Sequence, residues 1–235
     1  MSQDKKDLYL LPGTMCNALL WSEMLPQLTA SFKVSYVPTP FGDNLDVMLD
    51  RLLAFLPDEP VDLVGFSLGG YLASLMAIRY PLRVKKIFII ANSSGVLPAS
   101  EIAQRQEALR FVNQHGYAGM SRRKAASLID HNHPNTDAIV AIIRQMDKEL
   151  GKTVFLSQMN ATTDRPDQHQ DFHQLPIPTT FYYSANDRLV DSGWIDDCVE
   201  NNGNFEQIIQ PGSGHMLPLE QPQSLVEHLV NWSRS

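Results

Sequence analysis

Short apolar runs alternate with longer stretches of helical periodicity along this chain. The runs fall at Asp7–Leu11, Lys33–Pro38, Val61–Phe66, Lys85–Ala91, Thr179–Ser184 and Phe205–Ile209, lengths that suit strands rather than helices. Several lack any polar face, as strands covered by helices on both sides require. Between them, the periodicity predicts helices over Trp21–Leu28, Asn44–Phe55, Leu68–Tyr80, Ser192–Glu200 and Gln223–Ser233. Such alternation predicts an α/β fold with a mostly parallel sheet of about six strands flanked by helices.

The rhythm breaks between Val96 and Leu175, where helices are expected over Ser100–His115, Gly119–Asp130, Asp137–Leu150 and Thr153–Met159. The expected division is a core of residues 1–95 and 176–235, with residues 96–175 as an inserted helical cap, or lid. An insertion at the loop-bearing edge of an open α/β sheet covers the place where ligands bind. The other reading is a small packing domain with no role in binding.

With 43% apolar and 19% charged residues over 235 positions, the composition is globular rather than disordered or fibrous. A net charge of -7 repels phosphate backbones and anionic lipid, so neither nucleic acid nor a membrane surface is an expected partner. Cys16 and Cys198 are the only cysteines, which gives no disulfide framework and no zinc spacing. The first apolar run is too short for a signal-peptide core or a span of ~20 residues. A reducing, cytoplasmic location is expected.

The chemistry concentrates at Val61 to Gly70, where an apolar strand runs into Gly65-Phe66-Ser67-Leu68-Gly69 and then a helix. A sharp strand-to-helix turn crowds neighbouring backbones, so small residues flank a serine that is pushed outward. The N–H of Leu68, next along the chain, points to where a carbonyl oxygen becomes an anion. A serine hydroxyl is a weak nucleophile and needs a base, and the base needs a group to orient it. His215, in Gly212-Ser213-Gly214-His215, and Asp187, in Ser184-Ala185-Asn186-Asp187, follow strands and reach the same sheet edge.

At these positions the chain resembles the α/β-hydrolase superfamily of serine hydrolases, and the likeness spans nearly its whole length. The matching stretches include Leu10 to Thr14, Gly65 to Gly70, Tyr80 to Val84, Arg165 to Asp167, Pro176 to Thr179, Asp187, Gly214-His215 and Glu220 to Pro222. The resemblance implies Ser67 as nucleophile, His215 as base, Asp187 as orienting acid, and backbone oxyanion donors at Leu68 and Thr14. Pro12 stands where the family usually has His, which leaves Met15 as the alternative to Thr14. The family's usual leading antiparallel hairpin has no room before Leu8, so the sheet is expected to be trimmed to parallel strands. The oxyanion loop and elbow are similar to those of carboxylesterases, including one that acts on esters borne by a carrier protein.

Other residues have plainer readings beside the chemical ones. Asp191, Asp196 and Asp197 rival Asp187 but suit the start of a helix. His131 and His133 show no third metal ligand, and Cys16 reads as a buried structural thiol. Arg105, Arg110 and Arg122 to Lys124 read as a solvated helix face or as a site for a carboxylate or an acidic carrier protein. Met15, Trp21, Phe41, Phe66, Leu68, Met120 and Phe155 are candidates to line a pocket or the core. No cofactor or metal is expected.

The expected reaction is hydrolysis of a small carboxylic ester, a small-molecule acyl substrate, through an acyl-enzyme on Ser67. Thioester cleavage and carbon–carbon hydrolysis remain alternatives, as does a catalytically silent binding module on the same fold.

Overall fold

The computed structural model describes residues 5–234; residues 1–4 and 235, the outer ends of the expected core, lie outside it. Six strands form one sheet: β1 (Lys6–Leu11), β2 (Phe32–Tyr36), β3 (Val61–Phe66), β4 (Val84–Ile90), β5 (Thr179–Ser184) and β6 (Phe205–Gln210). All pair in parallel, in the order β2-β1-β3-β4-β5-β6. The chain steps outward from β1 to β2 and then returns to β3 on the other side. The loops after β1 and β3 therefore part at the topological switch point, where open α/β sheets hold their ligands.

The helices are α1 (Leu25–Ser31), α2 (Leu45–Phe55), α3 (Leu68–Arg79), α4 (Ala99–His115), α5 (Arg122–Ala126), α6 (Thr136–Thr162), α7 (His169–Phe172), α8 (Ser192–Asn201), α9 (Leu217–Glu220) and α10 (Pro222–Trp232). Successive strand residues point to opposite sheet faces, and both faces are filled. Leu63, Ile87, Ile89 and Phe181 pack with α2, α3 and α8. Val64, Phe66, Phe88 and Ile90 pack instead with α1 and α10. β3 is buried along its whole length, as its unbroken apolar pattern requires.

Two helical expectations shift and one break is borne out. Trp21–Leu28 resolves into a short 3-10 helix at Ala18–Trp21 and an α1 that starts at Leu25. Pro26 has no N–H and a fixed φ, so it belongs in a helix's first turn rather than its middle. Gly119–Asp130 shrinks to α5, because Gly119 sits at φ 82 and Ser121 caps the helix by accepting from Lys124 N at 3.1 Å. The break expected between Asp137–Leu150 and Thr153–Met159 is present at Gly151, where φ is 69 and ψ is -168, and α6 denotes the two helices on either side of it.

Between β4 and β5 lie α4 to α7. Ile139, Val140 and Ile143 of α6, with Ala125 of α5, share one cluster with sheet residues and with Leu225 and Leu229 of α10. Beyond Gly151, Val154, Phe155 and Met159 meet Val112 of α4 and Met15 in a separate cluster. Among the described residues, no helix is long and apolar enough to cross a membrane.

Candidate active site

Ser67 occupies the turn between β3 and α3 at φ 51 and ψ -115, a left-handed conformation that costs a non-glycine residue roughly 1–3 kcal/mol. Its neighbours explain how the turn closes. A Cβ on Gly65 would stand 2.4 Å from the Gly69 carbonyl oxygen, and one on Gly69 would stand 2.2 Å from that of Leu11. No side chain fits either gap, so the end of β1 and the first turn of α3 press together around the serine. Ser67 N donates to Ile90 O at 2.8 Å and fixes the turn to β4.

Asp187 and His215 arrive on the loops after β5 and β6. Those loops are tied to each other: Ser184 Oγ donates to Gly214 O at 2.6 Å, and Asn186 N donates to Gly212 O at 3.0 Å. His215 Nδ1 lies 2.7 Å from Asp187 Oδ2, and its Nε2 lies 3.2 Å from Ser67 Oγ. An Nδ1–H donated to the carboxylate leaves the Nε2 lone pair facing the serine hydroxyl. The second Asp187 oxygen accepts from Leu189 N at 3.0 Å. Burial of the imidazole opposes its charging, but the charge and hydrogen bond of Asp187 prevail and hold His215 above its ordinary 6.5. The rival carboxylates are engaged elsewhere: Asp191 caps α8 through Trp194 N, Asp196 accepts from Gln207, and Asp197 pairs with His169.

Leu68 and Thr14, the two expected oxyanion donors, line one recess with Ser67 and His215. Leu68 is the first residue of α3, and a helix leaves its first N–H groups without intrahelical partners. Gly13 brings the loop after β1 so close that a Cβ there would stand 3.1 Å from Ser67 Cβ. Met15 N is occupied, donating to Gln158 Oε1 at 2.8 Å. Thr14 N makes no hydrogen bond among the described residues. Of the two alternatives, the free N–H is therefore that of Thr14.

The sequence model of the Alpha/beta hydrolase family matches residues 9–228. The chain belongs to the alpha/beta hydrolase family. It is 38% identical to the pimeloyl-[acyl-carrier protein] methyl ester esterase of Edwardsiella ictaluri, over 97% of this chain and 93% of that protein. It is 32% identical to the protein of the same name from Aeromonas hydrophila, over 95% of each. Among solved structures, the enol-lactonase of Burkholderia xenovorans superposes with a TM-score of 0.80 at 13% identity, covering 99% of this chain and 93% of that one. An esterase from Thermogutta terrifontis gives 0.77 at 18% identity, covering 97% and 89%. At such identities the superpositions speak for the fold alone.

In this alpha/beta hydrolase, a cavity of about 790 Å³ opens beside Ser67 and His215, walled by Met15, Phe66, Met120, Phe155 and Met159. Of the residues read as lining either a pocket or the core, Trp21 belongs to the core, and Phe41 is exposed away from the cavity. Leu68 lines a second, polar recess of about 20 Å³ with Thr14, Ser67, Arg105, Arg165 and His215. Arg165 donates to Gly95 O at 3.0 Å and lies 4.4 Å over the Tyr71 ring. Burial, with Arg105 nearby, pulls its pKa down to about 10.

The remaining sequence candidates have other duties. Burial pushes the Cys16 thiol up to about 12, so little of it is thiolate near neutrality. Among the described residues, no three His, Cys, Asp or Glu side chains gather as a metal site. Arg122 pairs with Asp137, Lys124 reaches Gln104 at 3.1 Å, and Arg105 reaches Glu101 at 3.0 Å. Sequence reasoning missed Gln158 and Asp130 altogether. Both sit in polar positions with no local signal, and only folding shows what they touch.

Proposed function

We propose that this ester-bond hydrolase cleaves the carboxylic ester of a small alcohol through an acyl-enzyme on Ser67, with His215 as base and Asp187 as orienting acid. The observation that carries the reading is the unbroken relay from Asp187 through His215 to Ser67, opening onto the apolar cavity. Ser67 Oγ attacks the ester carbonyl while His215 Nε2 takes its proton. The N–H groups of Thr14 and Leu68 then hold the oxyanion, each contributing about 2.7–4 kcal/mol to the transition state. The imidazolium returns the proton to the departing alcohol, and a water activated by the same nitrogen releases the acid.

Size favours one arrangement of substrate. A cavity of about 790 Å³ accepts a long apolar acyl chain, while a recess of about 20 Å³ holds roughly one water-sized group. The acyl chain then fills the cavity, and the recess takes the attacking water. The departing alcohol, methanol or the p-nitrophenol of a test ester, has room in another cavity of about 440 Å³ that also reaches His215 and Asp187. Residues 96–175 act as the cap, since α4 and the second half of α6 wall the cavity. The relatives named above as esterases of pimeloyl-[acyl-carrier protein] methyl ester favour a methyl ester whose far end is borne by an acidic carrier protein.

The test is labelling with a fluorophosphonate probe, followed by turnover of methyl and p-nitrophenyl esters of rising acyl length, free and carrier-tethered. Covalent labelling confined to Ser67, with methyl esters of long acyl chains hydrolysed, supports the reading. Well-folded protein that neither labels nor turns over any ester overturns it in favour of a binding module. Labelling with cleavage of thioesters alone, or of carbon–carbon bonds alone, overturns the ester assignment.

A further inference from the structure

We propose that Asp130, carried by the helical insertion, is a positioning residue for His215, and that the base loop is held in register from the insertion side. This rests on the reading of His215 as the base. The loop that carries His215 needs outside support, because Gly212 (φ 102) and Gly214 leave its backbone loosely specified. On the sheet side it is fixed by Ser184 and Asn186. On the other side it meets residues 128–133, which follow α5.

There Asp130 Oδ2 accepts from both Ser213 N, at 2.7 Å, and Ser213 Oγ, at 3.0 Å. Its Oδ1 accepts from Asn132 N at 2.9 Å, which shapes its own turn. Leu128 O accepts from His215 N at 2.9 Å and from Met216 N at 3.3 Å, so the backbone of the base itself hangs from the insertion. Asp130 N in turn donates to Glu220 Oε2 at 2.8 Å. Glu220 is pressed so close behind the loop that a Cβ on Gly214 would stand 2.0 Å from that same oxygen. His133 Nε2 lies 3.1 Å from Glu220 O and closes the ring of contacts.

The backbone N–H groups of Asn132 and Ser213 hold the Asp130 carboxyl below its usual range, so it is charged when it grips the loop. Hydrogen bonds to an ionised acceptor are shorter and stronger than neutral ones. The Asp130 side chain is 21% exposed, so its place is at the junction between insertion and loop, not in the packed core. Nε2 stands only 3.2 Å from Ser67 Oγ, and a displacement of about 1 Å in such a pair costs on the order of 10²-fold in rate.

The experiment compares wild type with Asp130→Ala, Asp130→Asn and Ser213→Ala in the full chain. It measures thermal melting, kcat and KM on a short p-nitrophenyl ester, and the downfield proton resonance of the His215–Asp187 hydrogen bond. Asp130→Ala is expected to lower kcat about 10- to 100-fold, with KM changed less than about threefold, and to shift or broaden the downfield resonance. Asp130→Asn keeps one oxygen for Ser213 N but loses the charge and turns its amide NH2 toward Asn132 N, so it is expected to lower kcat about 3- to 10-fold. Ser213→Ala removes only the hydroxyl contact and costs less. A cooperatively folded Asp130→Ala with kcat within about twofold of wild type and an unmoved resonance overturns the proposal. If Asp130→Ala does not fold, the other two variants decide, and wild-type kcat in both overturns it. Absence of Ser67-dependent turnover in wild type instead sinks the acyl-enzyme reading, while the resonance still reports on the positioning.

Discussion

The N–H of Met15 donates to Oε1 of Gln158 across 143 residues of sequence, tying the loop after β1 to the second half of α6. Met15 sits at φ 53, a conformation that needs such an anchor. The bond also leaves Thr14 as the neighbour whose N–H has no partner among the described residues. Replacing Gln158 by Ala strands a buried donor, at a cost of about 1–3 kcal/mol. Gln158→Ala is expected to lower the melting temperature and to lower kcat more than it raises KM. Steady-state kinetics beside thermal denaturation checks both.

Ser67→Ala is expected to abolish ester turnover and leave the melting temperature close to wild type. Ser67→Gly goes further, because glycine adopts φ near 51 without penalty, and relief of strain raises stability by about 1 kcal/mol. Calorimetry on the two inactive variants separates chemistry from strain.

The pH dependence of kcat/KM is expected to show an acid limb above 6.5, since His215 must be neutral to accept the serine proton and its pKa is held above that value. Asp187→Asn removes the carboxylate that raises it and leaves the burial that lowers it, so the limb moves to lower pH. The wrong tautomer is then also favoured, and the rate falls by about 10⁴. Linkage has a definite sign. The folded state binds this proton more tightly than the unfolded chain, so the group adds stability below its unfolded value, and the contribution fades as pH rises through the folded one.

Phe155 lines the cavity that we assign to the acyl chain. Phe155→Trp fills part of that space and is expected to shift preference toward shorter chains. The ratio of kcat/KM for long over short p-nitrophenyl esters should fall at least about tenfold, while activity on the acetate is retained. An unchanged ratio removes the cavity from substrate binding.

Gly69→Ala places a methyl group 2.2 Å from a backbone oxygen of Leu11. Backbone cannot yield there without separating β1 from α3, so the variant is expected to be recovered unfolded or aggregated. Circular dichroism of the soluble fraction checks this.

The sheet was legible in the sequence because strands buried on both faces write continuous apolar runs, and β3 and β5 begin and end where their runs do. Helix ends were less legible where one residue overrode the periodicity, as Pro26 did for α1 and Gly119 for α5. Ser67, Asp187 and His215 could be singled out as candidates because each follows a strand on a turn with a local signature, and the structure sets the three side chains within hydrogen-bond distance in series. Gln158 and Asp130 were not, since each contacts a partner far along the chain, 143 and 83 residues away, and a polar residue on a helical segment otherwise reads as solvent-facing.

Because Ile139, Val140 and Ile143 pack in the same cluster as strand residues and α10, the segment between β4 and β5 is not a detachable module. Exchanging it wholesale with that of a relative would open a seam beneath the sheet's helical layer unless the facing positions, Met216, Leu217 and Trp21 among them, travelled with it. Changes in what this scaffold accepts are therefore easier to reach by editing the far side of Gly151 than by swapping the whole piece.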